Sequence, residues 1–386
     1  MNIMDLKITA AEAEKNYSQQ PFKVELLDAM TGRVRVNCRR DHRDVSGKWQ
    51  LEIDGVRHSF GQFLLKEISA GESRDFLFSI EVPDLVYGSE AVLVIFFYDQ
   101  NGTLLAKEGF AVPPPAYILP PSAENCFTGV RFDVSQAIIS SGKLSAVIDA
   151  NGMRELRYNG VKLLTGGPRL SLYRSGMIPA NLSPLKLDRL RVSADRFVSD
   201  GRSIECHALA LPTLMEMDEL EFTQRFTPQT DGTIRYDVEF VVPESFAGIP
   251  RLGVVLRLPR EMSSAGYYGY GPYENYPGTS GMVRSLYTLK AEESYPEYSK
   301  AVSGGSRSGV KKLTVSDGDQ RQLRIIAGSE FSFALLPFDE FAIDEAARNG
   351  KSPSPESENC LYLDCRIGDK QPVASGLYRM TLFFGH

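Results

Sequence analysis

The chain has 386 residues, 42% of them hydrophobic, which is enough for two domains with cores of their own and no covalent staples. Its 43 basic and 49 acidic residues leave a formal net charge of -6, which removes the broad attraction to phosphate on which nucleic-acid and anionic-membrane binders rely. Five cysteines (Cys38, Cys126, Cys206, Cys360, Cys365) form an odd set without CxxC spacing, and the four histidines lack a spacing such as HExxH, so reduced thiols in a cytoplasm and no metal site are expected.

No run of 18 apolar residues occurs, and the first residues lack the basic-then-apolar order of a signal peptide. A fragment would not carry its parent's address, so the cytoplasmic expectation rests on the cysteines.

The first region reads as a β-sandwich. Val34, Val36 and Cys38 alternate with Arg33, Arg35 and Asn37, and Trp49, Leu51 and Ile53 alternate with Gln50, Glu52 and Asp54, as half-buried strands do. Phe76, Phe78, Ile80 and Val82 repeat the pattern, while residues 91–98 are apolar on both faces before an Asn101-Gly102 turn, the signature of a central strand. An immunoglobulin-like sandwich over residues 17–112 is expected, without the usual disulfide because only Cys38 lies there, and with Trp49 as a core residue. Five prolines in residues 113–121 then predict an extended, stiff linker.

Residues 122–386 continue in the same grammar, with turns at Asn151-Gly152, Asn159-Gly160, Asp231-Gly232 and Asp317-Gly318. Leu220, Phe222 and Phe226 should pair through Asp231-Gly232 with Ile234, Tyr236, Val238, Phe240 and Val242, and Leu252, Val254, Leu256 and Leu258 give another apolar face. One segment, residues 339–349, reads as a helix, acidic at its start and closed by Gly350. A single helix among many strands excludes a (β/α) barrel, which needs about 250 residues and eight helices.

The run Gly269-Tyr270-Gly271-Pro272-Tyr273-Glu274-Asn275-Tyr276-Pro277 closely resembles a signature in the last domain of family 2 β-galactosidases. Weaker similarities follow the same order: Trp49-Gln50-Leu51-Glu52-Ile53-Asp54-Gly55 in the immunoglobulin-like domain that follows the family's barrel, Tyr158-Asn159-Gly160-Val161-Lys162-Leu163-Leu164 near the start of the final domain, and Leu377 to Phe384 as its last strand. The resemblance implies an all-β chain, an immunoglobulin-like sandwich followed by a large antiparallel supersandwich of the galactose mutarotase type. Three family elements depart from the pattern. The acidic active-site loop is replaced by residues 168–181, the Gly-Asp-Asp-Ser-Trp element by Gly368-Asp369-Lys370-Gln371-Pro372, and Pro-x-Glu-Asn-Gly-x-Arg by Ser303-Gly304-Gly305-Ser306-Arg307.

Retaining glycosidases need two facing carboxyl groups, which in this family come from the barrel. Glu292-Glu293 reads as a solvated loop rather than a dyad, there is no Gly-x-Ser-x-Gly elbow, and His207 alone does not make the histidine and carboxylate site of a mutarotase. The resemblance therefore implies a non-catalytic carboxyl-terminal part of a β-galactosidase, inactive alone, with no cofactor of its own; Mg and Na would belong to the absent barrel. Its expected partners are a barrel-bearing region or large subunit, a β-galactoside such as lactose in the complete enzyme, and further copies of the chain. A stand-alone carbohydrate-binding or structural module is the alternative. Tyr270, Tyr273, Glu274, Asn275 and Tyr276 are the candidate carbohydrate-facing residues, with a scaffolding role for the same run as the other reading.

Overall fold

The computed structural model describes residues 9–119, 125–174, 185, 187–212, 218–295, 304–368 and 372–386, of which 347 and 348 by their backbone alone. It opens on a helix that the strand pattern does not announce, α1 (Ala10–Ser18). Thr9 and Glu12 form a reciprocal capping box, the Thr9 hydroxyl accepting from the Glu12 amide and the Glu12 carboxylate accepting from the Thr9 amide. The signal was present in the sequence as Thr-Ala-Ala-Glu, but only nine residues follow it, too short for periodicity to register.

The sandwich is built from β1 (Phe22–Asp28), β2 (Arg33–Cys38), β3 (His42–Ile53), β4 (Val56–Ile68), β5 (Ser73–Leu77), β6 (Leu85–Val86), β7 (Ala91–Tyr98) and β8 (Leu104–Val112). One sheet has the order β1-β2-β5 and the other β4-β3-β7-β8, an immunoglobulin-like arrangement of three strands on four. Val34, Val36, Leu51, Leu93, Ile95 and Phe97 meet between the sheets, and Trp49 stacks on Phe78 at 5.7 Å beside them.

The linker is less detached than its prolines suggest. Tyr117–Ile118 pairs in parallel with β6.

The end of the polar face of β3 around Glu52 and the second apolar face of β7 at Val92 and Val94 are covered by the next domain. Val92 and Val94 cluster with Val283, and buried Glu52 accepts a hydrogen bond from the Ser285 hydroxyl at 2.5 Å. Gly55, at φ +80°, lets the Leu286 backbone approach where a Cβ would lie 2.5 Å from its nitrogen. Around this contact Lys312 donates to Asp54 at 2.8 Å, and Glu90 accepts from Lys311 at 2.6 Å and from Arg284 at 3.0 Å.

The second domain stacks a five-stranded antiparallel sheet (strands from Thr128–Phe132 to Val161–Leu164) on a twelve-stranded one, with one core between them. The hairpin Leu220–Pro228 with Ile234–Val242 forms in the expected register, Phe222 opposite Phe240 and Phe226 opposite Tyr236. Strand Arg251–Pro259 is buried on both faces. Leu252, Val254, Leu256 and Leu258 enter the main core, while Val255 joins Leu336, Phe338, Ile343, Cys360 and Tyr362 under the second helix, α2 (Glu340–Arg348). Asp339 caps that helix, one carboxylate oxygen accepting from the amides of Phe341 and Ala342 at 3.0 Å each. All five cysteines are free.

Candidate functional site around the signature loop

Strand Ser264–Gly271 delivers the signature run to the end of the sheet, where a cis Gly271-Pro272 bond turns the chain. Asn275 is fully buried and organises the turn. Its amide nitrogen donates to the carbonyls of Tyr270 at 3.0 Å and Tyr273 at 2.8 Å, and its oxygen accepts from the Ser308 amide at 2.9 Å and hydroxyl at 2.5 Å. All four hydrogen-bonding positions of a primary amide are thus used within the protein.

Glu274, 1% exposed, does the same for the neighbouring stretch: one oxygen accepts from the Gly305 amide at 2.7 Å and from the Tyr276 hydroxyl at 3.0 Å. Arg307 donates to the carbonyls of Pro272, Gly305 and Ser306. The signature run and the diverged element ending at Arg307, joined by hydrogen bonds between residues 31 to 35 positions apart in the chain, are one unit in space.

A third element joins them. Arg174 donates to the Gly304 carbonyl at 2.6 Å, the Ser306 hydroxyl at 3.1 Å and the Asp364 carboxylate at 3.1 Å. Arg251 pairs with the other Asp364 oxygen, and both guanidinium groups lie over the Tyr362 ring, at 4.4 and 4.7 Å. All of these side chains are essentially inaccessible to solvent. Burial lowers the pKa of Arg174, and burial followed by repulsion from Arg174 pulls Arg251 well below the ordinary guanidinium value. The Nε and Nη1 atoms of Arg251 make no hydrogen bond.

The five candidate residues therefore divide. Asn275 has its polar atoms, and Glu274 one carboxylate oxygen, held by the protein, and the Tyr276 ring packs with Ala10 of α1 and Ile367. Tyr273 is half-buried and offers its carbonyl to Asn275. Tyr270 is half-buried under the Arg284 guanidinium at 4.6 Å and borders two clefts of about 460 and 210 Å³, one toward Ser332 and Arg366 and the other toward Glu90.

Glu292 and Glu293 lie on a short 3-10 turn, where exposed Glu292 pairs with Arg260 at 3.1 Å. His207 has carboxylate neighbours that the sequence did not reveal, Asp195 at 2.9 Å from Nδ1 and Glu221 at 3.5 Å from Nε2. Strand pairing brings them there. Residues 175–181 of the first diverged element, 369–371 of the second and Ser303 of the third lie outside the described residues. Among the described residues no group of three histidine, cysteine or acidic side chains could hold a metal ion, and no helix is long and apolar enough to cross a membrane.

Sequence reasoning missed Arg174, Arg251 and Asp364. The signal available was a charged residue set in an apolar strand, as in Leu361-Tyr362-Leu363-Asp364-Cys365, where burial demands a partner.

With this geometry in place, comparison with known proteins is decisive. A profile of the family described as "Beta galactosidase small chain" matches residues 148–368, which include the signature run, Arg174, Arg251, Arg307 and Asp364. The chain belongs to the β-galactosidase small-chain family. The β-galactosidase of Priestia megaterium is 23% identical over 392 residues, covering 95% of this chain and 37% of the relative. That of Vibrio cholerae is 24% identical over 168 residues, covering 43% of this chain and 16% of the relative, and that of Lactobacillus delbrueckii subsp. bulgaricus is 27% identical over 141 residues, covering 36% and 14%. The small-chain region thus spans well under half the length of these curated relatives. Among solved structures, a 4-alpha-glucanotransferase from Thermococcus litoralis overlaps 68% of this chain and 39% of its own at a TM-score of 0.34 and 10% identity. A galactose 1-epimerase from Lactobacillus acidophilus overlaps 68% of this chain and all of its own at a TM-score of 0.33 and 11% identity.

Proposed function

We propose that this small-chain region is the non-catalytic carboxyl-terminal part of a family 2 β-galactosidase that removes terminal β-D-galactosyl groups from substrates such as lactose. The observation that carries the reading is the family match across residues 148–368, on a chain whose relatives by sequence are much longer β-galactosidases. A barrel-bearing region or large subunit supplies both catalytic carboxyl groups, together with any Mg or Na. The chain supplies support. Arg174, by donating to the Gly304 carbonyl, fixes the spacing between the ends of two described segments beside the signature loop. In this reading half-buried Tyr270 and Tyr273 border the rim of the active site, and Glu274, Asn275 and Tyr276 are their scaffold. Association of several copies, in a cytoplasm, completes the assembly.

Hydrolysis of a chromogenic β-galactoside by the chain, alone and mixed with a barrel-bearing β-galactosidase region, tests this reading. Activity in the mixture only is the expected result, and hydrolysis by the chain alone overturns it.

A further inference from the structure

A separate hollow of about 230 Å³ lies between the edge strand Gly166–Ser171, the turn Leu187–Arg189 and the first turn of α2. Leucine and valine side chains form much of its wall. Its polar and aromatic lining is Arg169, Ser171, Tyr173, Asp188, Glu340 and Phe341.

One of these groups is unexplained by the fold. Ser171 is 3% exposed and its hydroxyl makes no hydrogen bond, while Tyr173, 4% exposed, has the Asp344 carboxylate beside its hydroxyl. A buried hydroxyl without a partner loses its hydration and regains nothing, so native proteins rarely keep one beside a cavity. Burial raises the Tyr173 phenol, and the carboxylates of Asp344, Glu340 and Asp188 raise it further, so it stays neutral and its oxygen can still accept a hydrogen bond. Both oxygens of Glu340 already accept one bond, from Arg169 at 2.7 Å and from the Tyr362 hydroxyl at 2.8 Å, and each retains a second lone pair.

The charge balance selects the ligand. Glu340 is paired with Arg169 and Asp188 with Arg189, so the lining has no unpaired charge to attract an ion. The volume exceeds that of a single water, about 30 Å³ in the liquid, several-fold, which is the size range of one monosaccharide. Phe341, one of the exposed large hydrophobic side chains, lies under the Arg169 guanidinium at 5.8 Å and presents an apolar surface at the mouth.

We propose that this hollow binds one neutral, hydroxyl-rich small molecule, a monosaccharide or a short polyol, whose hydroxyls complete Ser171 and donate to the Tyr173 oxygen. The site belongs to the chain itself and is independent of any barrel.

Saturation-transfer NMR on the full chain, with galactose and glycerol as separate probes, tests it. Saturable binding of galactose is expected with a dissociation constant on the order of 10 mM or below. Glycerol binding in addition would assign the site to polyols generally, and its absence would assign it to the sugar ring. Ser171→Ala and Tyr173→Phe should each weaken binding about tenfold, and Ser171→Ala should leave the thermal midpoint unchanged or raised because it deletes an unsatisfied group. Absence of binding by both probes, or undiminished binding in either variant, overturns the proposal. Neither outcome bears on hydrolysis in mixtures, so the two readings fail separately.

Discussion

Asn275 and Ser308 are joined twice, by backbone amide and by hydroxyl, through the same carboxamide oxygen. Because the Asn275 nitrogen simultaneously holds the carbonyls of Tyr270 and Tyr273, one side chain closes the signature turn onto the strand Arg307–Ser316. Asn275→Ala strands two carbonyls, an amide and a hydroxyl in a dry site. A loss of about 3 kcal/mol is expected, and Asn275→Asp should not rescue it because the donors are gone. Denaturant unfolding of the three proteins checks this; equal stability of the aspartate variant and the parent would remove the turn-closing role.

Asp364 is the shared counter-ion of Arg174 and Arg251. Asp364→Asn leaves two guanidinium groups buried without compensation, a defect of about 3–5 kcal/mol. The expected outcome is a sharp fall in soluble yield and thermal midpoint, whereas Asp75→Asn, which releases the exposed Arg33 and Arg35, should change the midpoint little.

Glu108 on β8 accepts the Tyr17 hydroxyl of α1 at 3.1 Å, and burial pushes its carboxyl up to about 7. The folded value lies above the unfolded one, so the native state binds more protons between pH 4.5 and 7. Stability is fully present below that window and declines as pH rises through it, by roughly 3 kcal/mol at most. Glu108→Gln should flatten this dependence and be the more stable protein at pH 8. Unfolding midpoints at pH 5 and pH 8 decide the matter.

Glu90 behaves in the opposite sense. Burial opposes its ionisation, but Lys311 and Arg284 outweigh burial and hold its pKa below the usual carboxylate value. Its contribution is present above the unfolded pKa and is lost as pH falls through the lower folded one. Since it joins the sandwich to the second domain, Glu90→Gln should uncouple them, dividing one calorimetric transition into two at neutral pH, with a loss of about 1 kcal/mol after screening.

The sequence by itself determined the all-β class, the hairpins and the helix at residue 340, because strand alternation, Asn-Gly and Asp-Gly turns and an acidic helix start are local properties of the chain. It also determined the family, through a run whose Gly, Pro and Asn are needed for a cis turn closed by one carboxamide. Tertiary structure decided what each face meets. Glu52 was indistinguishable from a solvated strand residue until Ser285 covered it, and β7 was apolar on both faces for the sake of a second domain rather than a second sheet layer. It also decided the site, because Arg174, Arg251, Gly305 and Asp364 come from strands and loops far apart in the chain. Their attraction depends on exclusion from water, which no local pattern records.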